Sequence, residues 1–158
     1  MIALGPASHI LLVLTGALLL YIAVTDLREF KIRNELVISL AVLYFVHAAM
    51  SGRWVSMHWN IGFALLMFAL MLYAYSQRLL GGGDLKLLAV AFLWTGPRCA
   101  LPFAIFLLVF AGAHALAGKY GWVNVQEAED GRKRIPFGPS VAGALIVVFA
   151  LGCVGPPH

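Results

Sequence analysis

Long apolar stretches separated by short polar segments dominate the chain. Hydrophobic residues make up 62% of its 158 residues and charged residues only 11%, whereas a typical soluble domain is roughly 45–50% apolar and about 25% charged. Such an excess of apolar side chains must face something other than water, and a lipid bilayer is the environment that accepts it. We therefore predict an all-α integral membrane protein, a polytopic helix bundle in which residues 1–158 form one membrane-embedded domain.

About six of these stretches are expected to be transmembrane helices. The fourth has only ten residues, about 15 Å as a helix against a hydrocarbon core of about 30 Å. We therefore expect Asp84, which precedes it, to lie below the headgroup level in a water-filled cavity enclosed by protein. Residues 95–98 are expected to turn the chain between the fourth and fifth spans. The predicted spans are residues 10–24, 36–50, 59–76, 85–94, 99–118 and a last one that starts at 135.

Basic residues are concentrated on one predicted side of the membrane. With six spans, the segments after the first, third and fifth lie on the same side. Together with Lys86, at the start of the fourth span, they hold nine of the eleven Lys and Arg residues. The positive-inside rule makes this side cytoplasmic. All seven Asp and Glu residues fall on the same side.

Several other classes of protein are disfavoured by the composition. The formal net charge is +4, but basic loops beside apolar spans explain it, and no basic stripe with interleaved aromatic residues indicates a nucleic-acid partner. The five histidines are scattered, and Cys99 and Cys153 are too few and too far apart for a CxxC zinc site or a disulfide framework. We expect no metal and no cofactor. Both cysteines are predicted near the outer face, with their oxidation state left open.

Two aspartates are the candidate catalytic residues. Asp26 follows the first predicted span, and Asp84 ends the run Gly81-Gly82-Gly83-Asp84, so both are expected at the same membrane face. Two neighbouring carboxyl groups cannot both ionise readily. The ionised one can take a proton from a water that attacks an amide carbonyl, while the protonated one polarises that carbonyl. Consecutive glycines would let an extended peptide backbone lie close to Asp84.

The same residues allow other interpretations. A single Asp at a helix end is more often an N-cap or an interfacial charge, and Lys86 can either tune the two acids or anchor the chain to lipid headgroups. A small ion- or proton-coupled transporter or channel subunit would use the same acids. Acids deeper in the bundle, or a second half that repeats the first, would favour it, and we find neither. A non-enzymatic assembly factor would tolerate Asp84→Asn.

Three motifs together carry a resemblance to a known family. Asp26 ends a first span, Gly81-x-Gly83-Asp84-x-Lys86 follows a third, and Ile135-Pro-Phe-Gly-Pro139 opens the last. In this order they resemble the type IV prepilin peptidase family, the GxGD-type membrane aspartyl proteases. The resemblance implies that Asp26 and Asp84 are the catalytic pair and that Gly81 and Gly83 are the motif glycines. It implies cleavage of a short basic leader, usually after a glycine, at the cytoplasmic face of a bacterial inner membrane.

The chain is most similar to the minimal form of this family, associated with Flp-type (tight-adherence) pilus systems. Larger members carry an additional domain with paired CxxC motifs and also N-methylate the new terminus. This sequence shows neither that domain nor those cysteines, so methylation is not expected here. The expected partners are the lipid bilayer and a prepilin or pseudopilin with its own transmembrane helix, while the exact substrate and the oligomeric state stay open. Acidic residues are hypothesised to attract the basic leader. These are Glu127, Glu129 and Asp130, or Glu29 and Glu35.

Overall fold

The chain folds into a bundle of helices. The computed structural model describes residues 6–121, 126–127, 133–134 and 136–153. Two strands of two residues each, β1 and β2, pair antiparallel between the fourth and fifth helices. Apart from this pair the described chain is helical, so the predicted all-α class is confirmed. The elements are α1 (Pro6–Glu29), α2 (Asn34–Met50), α3 (Trp54–Ser76), α4 (Gly82–Lys119), β1 (Gln126–Glu127), β2 (Lys133–Arg134) and α5 (Gly138–Ala150).

Three of the described helices are long and apolar enough to cross a membrane by length and composition. They cover His9–Glu29, Trp54–Ser76 and Gly82–Lys119, whereas Asn34–Met50 and Gly138–Ala150 are apolar but shorter. The chain is therefore a membrane protein, as its composition predicted. The count of about six transmembrane helices is not confirmed.

α4 is interrupted at Gly96, where the backbone leaves the helical region (φ 57°, ψ −173°). Positive φ favours glycine, and a side chain here would also collide with the Asn60 amide. Pro97 follows, and because proline has no N–H it cannot donate to the carbonyl of Leu93 four residues earlier. Asn60 of α3 supplies the missing donor, its Nδ2 lying 3.2 Å from the Leu93 oxygen. This break falls within the turn predicted at 95–98.

The two parts of α4, residues 82–95 (α4a) and 97–119 (α4b), run in opposite directions. The ring centroids of Phe92 and Phe103 are 5.4 Å apart. In a straight helix, two residues that are about 11 positions apart in the sequence have Cα atoms about 16 Å apart. The chain must therefore bend sharply at the break. Contacts with α5 give the two directions: α4a ends with Trp94 against Phe149 near the end of α5, whereas α4b begins at Cys99 beside Cys153 and reaches Ser140, in the first turn of α5, with His114. α4a and α4b correspond to the fourth and fifth spans that the sequence predicted.

One end of the bundle is closed by a disulfide bond between Cys99 and Cys153. The bond joins the beginning of α4b to the residues that follow α5, and we call this the disulfide end. The sequence left the oxidation state open, because 54 positions separate the two cysteines. Antiparallel packing brings them together: further along the same pair of helices, Gly143 of α5 faces the ring of Phe110 of α4b.

Near the disulfide end, α4a is surrounded by other helices. Trp94 is only 2% exposed, and its indole N–H donates to the Leu40 carbonyl of α2 at 3.0 Å. Its ring also packs against Tyr44 of α2, at 5.5 Å between centroids, and against Phe149 of α5, at 5.1 Å. These contacts fix the far end of the short helix that begins beside Asp84.

The largest differences from the predicted boundaries are at the end of α1 and the start of α3, and the last helix begins at Gly138 instead of 135. α1 continues to Glu29 instead of ending at 24, so Asp26 lies in its last turn and only residues 30–33 separate α1 from α2. Arg and Glu are good helix formers, and the helix ends only at Phe30, whose φ is 50°. α3 begins at Trp54 instead of 59, because nothing in residues 54–58 interrupts a helix.

Candidate active site

Asp26 is a buried acid, only 4% exposed, in the last turn of α1. Its Oδ2 accepts a hydrogen bond from the backbone N–H of Gly138, the first residue of α5, at 2.7 Å. The first N–H groups of a helix have no partner within the helix, and the helix dipole favours negative charge there. The Asp26 carboxylate supplies an acceptor and a negative charge at the start of α5. In return, the N–H of Gly138, 112 positions away, holds the carboxylate in place.

Gly138 is a site residue to which sequence reasoning assigned no role. A Cβ at this position would lie 2.8 Å from Asp26 Oδ2, closer than real Cβ atoms come, and 3.0 Å from Asp26 Cβ, which is tighter than most real Cβ contacts. Only glycine therefore lets the first turn of α5 come this close to Asp26. The signal was present, since Gly138 belongs to the Ile135-Pro-Phe-Gly-Pro139 motif. Ile135 itself lies outside the described residues.

Asp84 lies half-buried in the first turn of α4a. The N-cap residue is Gly81, with extended backbone (φ −76°, ψ 149°), so Asp84 is not the N-cap that one interpretation of the sequence allowed. An acid in the first turn is favoured by the helix dipole. The carboxylate turns back over Gly81, where a Cβ would lie 2.7 Å from Asp84 Oδ2. Gly81 therefore makes room for the Asp84 carboxyl group.

The other two motif residues, Gly83 and Lys86, also lie against neighbouring parts of the protein. A Cβ at Gly83 would lie 3.2 Å from the Cβ of Ile32, so this glycine lets the α1–α2 loop pass close to α4a. Lys86 is exposed, and its Nζ donates to the side-chain oxygen of Asn34, the first residue of α2, at 3.1 Å. The expectation that the glycines make room for a substrate backbone stays a prediction.

Asp26 and Asp84 line one open cavity of about 1310 Å³ at the end of the bundle opposite the disulfide. We call this the site end. Gly81, Gly83 and Lys86 line the same cavity, so the structure brings together all five predicted site residues. Pockets for small molecules usually measure about 300–1,000 Å³. The larger volume suits an extended chain.

The cavity wall carries charges of both signs. Within the described residues, four basic and three acidic side chains line it. The ion pair between Arg33 and Glu35, 3.7 Å apart, is solvent-exposed and contributes little to stability. The lining charges are Lys31, Arg33, Arg78 and Lys86 on the basic side, and Asp26, Glu35 and Asp84 on the acidic side.

The hypothesis that acids attract a basic leader stays a prediction. Glu35 lines the cavity, whereas Glu29 is an exposed residue at the end of α1. Glu129, Asp130 and the side chain of Glu127 lie outside the part of the chain that the structure describes.

Two loop residues on the cavity wall have unusual backbone conformations. Phe30 and Arg78 have φ values of 50° and 58°, in the left-handed region that residues other than glycine rarely adopt. Both line the cavity, and strain of this kind concentrates at functional sites. No sequence signal indicated it, because neither residue is of a type that favours this region.

The site offers carboxyl chemistry. Within residues 6–121, 126–127, 133–134 and 136–153, no group of three or more His, Cys, Asp or Glu could hold a metal ion. The described wall of the cavity carries the carboxyl groups of Asp26, Asp84 and Glu35 in a space open to water, and the Asp26 carboxylate accepts a hydrogen bond from a backbone N–H. This arrangement can activate a water molecule and protonate a leaving group.

Fold and site together define a helical membrane protein with a pair of acids on a cavity at one end of the bundle. Residues 13–117 match the model of the type IV leader peptidase family, and this range includes both Asp26 and Asp84. The chain belongs to the type IV leader peptidase family, as its motifs predicted, and its class of activity is that of a protease. No curated protein and no solved structure matches the chain significantly.

Proposed function

We propose that this protein is a membrane aspartyl endopeptidase that removes the leader peptide from prepilins or pseudopilins. Asp26 and Asp84 would activate the water that cleaves the peptide bond. The proposal is carried by one observation: acids from two different helices, α1 and α4a, line the same open cavity.

The reaction needs one proton shared between the two carboxyl groups. The ionised carboxylate takes a proton from water as the oxygen attacks the carbonyl carbon of the peptide, and the protonated carboxyl donates its proton to the carbonyl oxygen. A tetrahedral diol results. When it collapses, the C–N bond breaks, the leaving nitrogen takes up a proton, and one proton returns to the pair. We treat Asp26 and Asp84 as a coupled unit, because protons of such a pair belong to both groups.

The position of the cavity supports a substrate that is itself anchored in the membrane. The cavity lies at one end of a bundle of apolar helices, so a peptide bond next to the substrate's own transmembrane helix would reach it. The family resemblance adds a short basic leader cleaved after a glycine. An Flp-type prepilin is the substrate that we propose to test first.

We propose further that the site faces the cytoplasm of a bacterial inner membrane. The basic side chains on the cavity wall support this orientation through the positive-inside rule. The Cys99–Cys153 disulfide lies at the opposite end of the bundle. Disulfides persist in oxidising compartments such as the periplasm and are rare in the cytosol, so its position supports the same orientation.

A transporter that uses the same acids is not favoured by the described residues. In residues 6–121 and 136–153 the acids are Asp26, Glu29, Glu35 and Asp84. All four lie at the site end, in the last turn of α1 or the first turns of α2 and α4a. A path for ions or protons that relies on these acids would need further acids along the helices.

The test is leader removal from a candidate prepilin in membranes. Wild type, Asp26→Asn and Asp84→Asn are compared, and each substitution should reduce cleavage to background because asparagine cannot exchange the proton. Glu29→Gln is the matched control, since it neutralises an exposed acid one turn after Asp26 on the same helix. It is assayed at high salt, where any attraction of a basic leader by Glu29 is screened.

Membrane insertion and thermal stability of every variant are measured alongside cleavage. Normal insertion with lost cleavage supports the proposal. Equal processing by wild type and both Asp variants would reject the mechanism, and absence of processing by wild type with several prepilins would reject the substrate class.

A further inference from the structure

A hydrogen bond between His114 and Ser140 links α4b to α5 at the site end. The Ser140 hydroxyl oxygen lies 2.9 Å from His114 Nδ1. The same nitrogen lies 3.1 Å from the carbonyl oxygen of Phe110, one turn earlier in α4b. Because a carbonyl can only accept, the tautomer with a proton on Nδ1 satisfies both contacts, with Nδ1–H as the shared donor.

Ser140 is well placed to influence the active site. It is 1% exposed and lies in the first turn of α5, two residues after Gly138. Its backbone N–H donates to the Phe137 carbonyl at 3.1 Å, which closes the turn that begins the helix. The Gly138 N–H in this turn is the group that donates to Asp26 Oδ2.

Two hydrogen bonds, joined by the backbone of the first turn of α5, therefore connect three helices. The link runs from His114 of α4b through Ser140 and Gly138 of α5 to Asp26 of α1. A helix end is ordinarily the part of a helix that frays. Here the first turn of α5 is held on one side by Asp26 and on the other by His114.

We propose that His114 is a positioning residue that holds the Gly138 N–H on the Asp26 carboxylate through Ser140. As a contribution to catalysis this inference rests on the proposed function. As a statement about the first turn of α5 it can be tested without any substrate.

The expected consequence of losing the link is a loosened first turn of α5. The Gly138 N–H would then spend less time on Asp26, and the carboxyl group would adopt more than one orientation. Chemistry is sensitive to such displacement, whereas binding of an extended peptide along a large cavity is not. The loss should therefore appear in kcat and not in KM.

The first experiment follows hydrogen–deuterium exchange of the full-length protein in lipid nanodiscs by mass spectrometry. His114→Phe keeps an aromatic ring without a nitrogen, and Ser140→Ala removes the hydroxyl. Both should accelerate exchange in peptides that contain Gly138. His114→Asn places an amide near the Nδ1 position, and Ser140→Thr keeps a hydroxyl, so both should restore slow exchange.

Two matched controls test for general effects of the substitutions. His58→Ala removes a histidine whose Nδ1 also lies near a carbonyl one turn earlier, that of Trp54 at 2.6 Å. Thr15→Val removes a buried hydroxyl that donates within α1, to the Leu11 carbonyl at 2.8 Å. Neither contact links two helices, so exchange at Gly138 should not change.

The second experiment measures leader cleavage by the same variants. His114→Phe and Ser140→Ala should lower kcat about tenfold with KM changed by less than about twofold. His114→Asn and Ser140→Thr should recover most of the rate.

The outcomes separate this inference from the proposed function. Faster exchange at Gly138 that the conservative variants reverse supports the link, even if wild type cleaves no prepilin and the proposed function fails. Unchanged exchange at Gly138, or an equal rise of exchange in all helices, overturns it. A rise in KM with unchanged kcat overturns it as well.

Discussion

The two ends of the bundle are built differently. At the disulfide end, a covalent bond joins α4b to the residues after α5, Trp94 is buried, and the cavity beside it measures only about 20 Å³. At the site end, α5 is attached to α1 by the hydrogen bond between Gly138 and Asp26, beside a cavity of about 1310 Å³. Tight packing at one end lets the other remain open and polar.

This difference predicts that substitutions at the two ends will affect different quantities. A change at the disulfide end should lower the free energy of unfolding and leave the kinetics of the folded protein nearly unchanged. A change at the site end should act mainly on kcat. Each prediction below tests one side of this separation.

Removing the disulfide should have the largest effect. The double variant Cys99→Ser/Cys153→Ser opens a loop closed over 54 positions, and loop-closure entropy sets the loss of stability at no more than about 4 kcal/mol. Thermal unfolding in nanodiscs measures it, and reduced wild type should behave like the variant. At a temperature where both are folded, kcat should change less than about twofold. A fall in kcat at unchanged stability would show that the two ends are coupled.

Gly138→Ala should reduce activity most among single substitutions at the site end outside the acids. The new Cβ would lie 2.8 Å from Asp26 Oδ2, so either the carboxyl group or the first turn of α5 must move. We expect kcat to fall about 100-fold, and the free energy of unfolding to fall by about 1–3 kcal/mol, the usual cost of overpacking. Gly143→Ala on the same helix is the control, because its Cβ would meet only the Phe110 ring at 3.4 Å. Equal rates for both variants would contradict the role assigned to Gly138.

Asn60→Ala should lower stability moderately. It removes the donor to the Leu93 carbonyl, and a buried carbonyl left without a partner costs about 1 kcal/mol or somewhat more. Unfolding measurements should detect the loss. Ser56→Ala is the control, since that exposed hydroxyl donates to the Arg53 carbonyl in its own turn. If Asn60→Ala lowered kcat and spared stability, the break in α4 would belong functionally to the site end.

Lys86→Ala should have the smallest effect. The side chain is exposed, and its hydrogen bond to Asn34 spans two helix ends in contact with water, so its loss should change kcat less than about threefold. Lys86→Met, which keeps the apolar stem, should behave like wild type. A loss as large as that of Asp84→Asn would instead give Lys86 a direct part in the chemistry.

Much of the architecture follows from local properties of the sequence. Apolar runs indicated the helices, and the Gly-Pro pair at 96–97 indicated the turn between α4a and α4b. The order of the spans predicted that Asp26 and Asp84 lie at the same membrane face. These inferences succeed because backbone propensity and the demand for apolar surroundings act over short stretches of chain. The family motifs added the expectation that Asp26 and Asp84 form a catalytic pair.

Contacts between distant residues could not be predicted in this way. No local pattern tells that the Gly138 N–H meets Asp26 across 112 positions, or that Cys99 pairs with Cys153. Both depend on which helices are neighbours and on their relative depth, which a single sequence does not specify. The left-handed conformation of Arg78 is likewise imposed by the fold and not by residue type.

The interruption of α4 also bears on how the chain enters a bilayer during synthesis. Helix α4a is about 21 Å long and cannot cross a hydrocarbon layer of about 30 Å by itself. Its last turn also presents the Leu93 carbonyl that Asn60 satisfies, and an unsatisfied carbonyl among lipid tails costs several kcal/mol. We therefore expect α3 to act as an insertion partner: the pair integrates as a helical hairpin, and α3 draws α4a to its final depth.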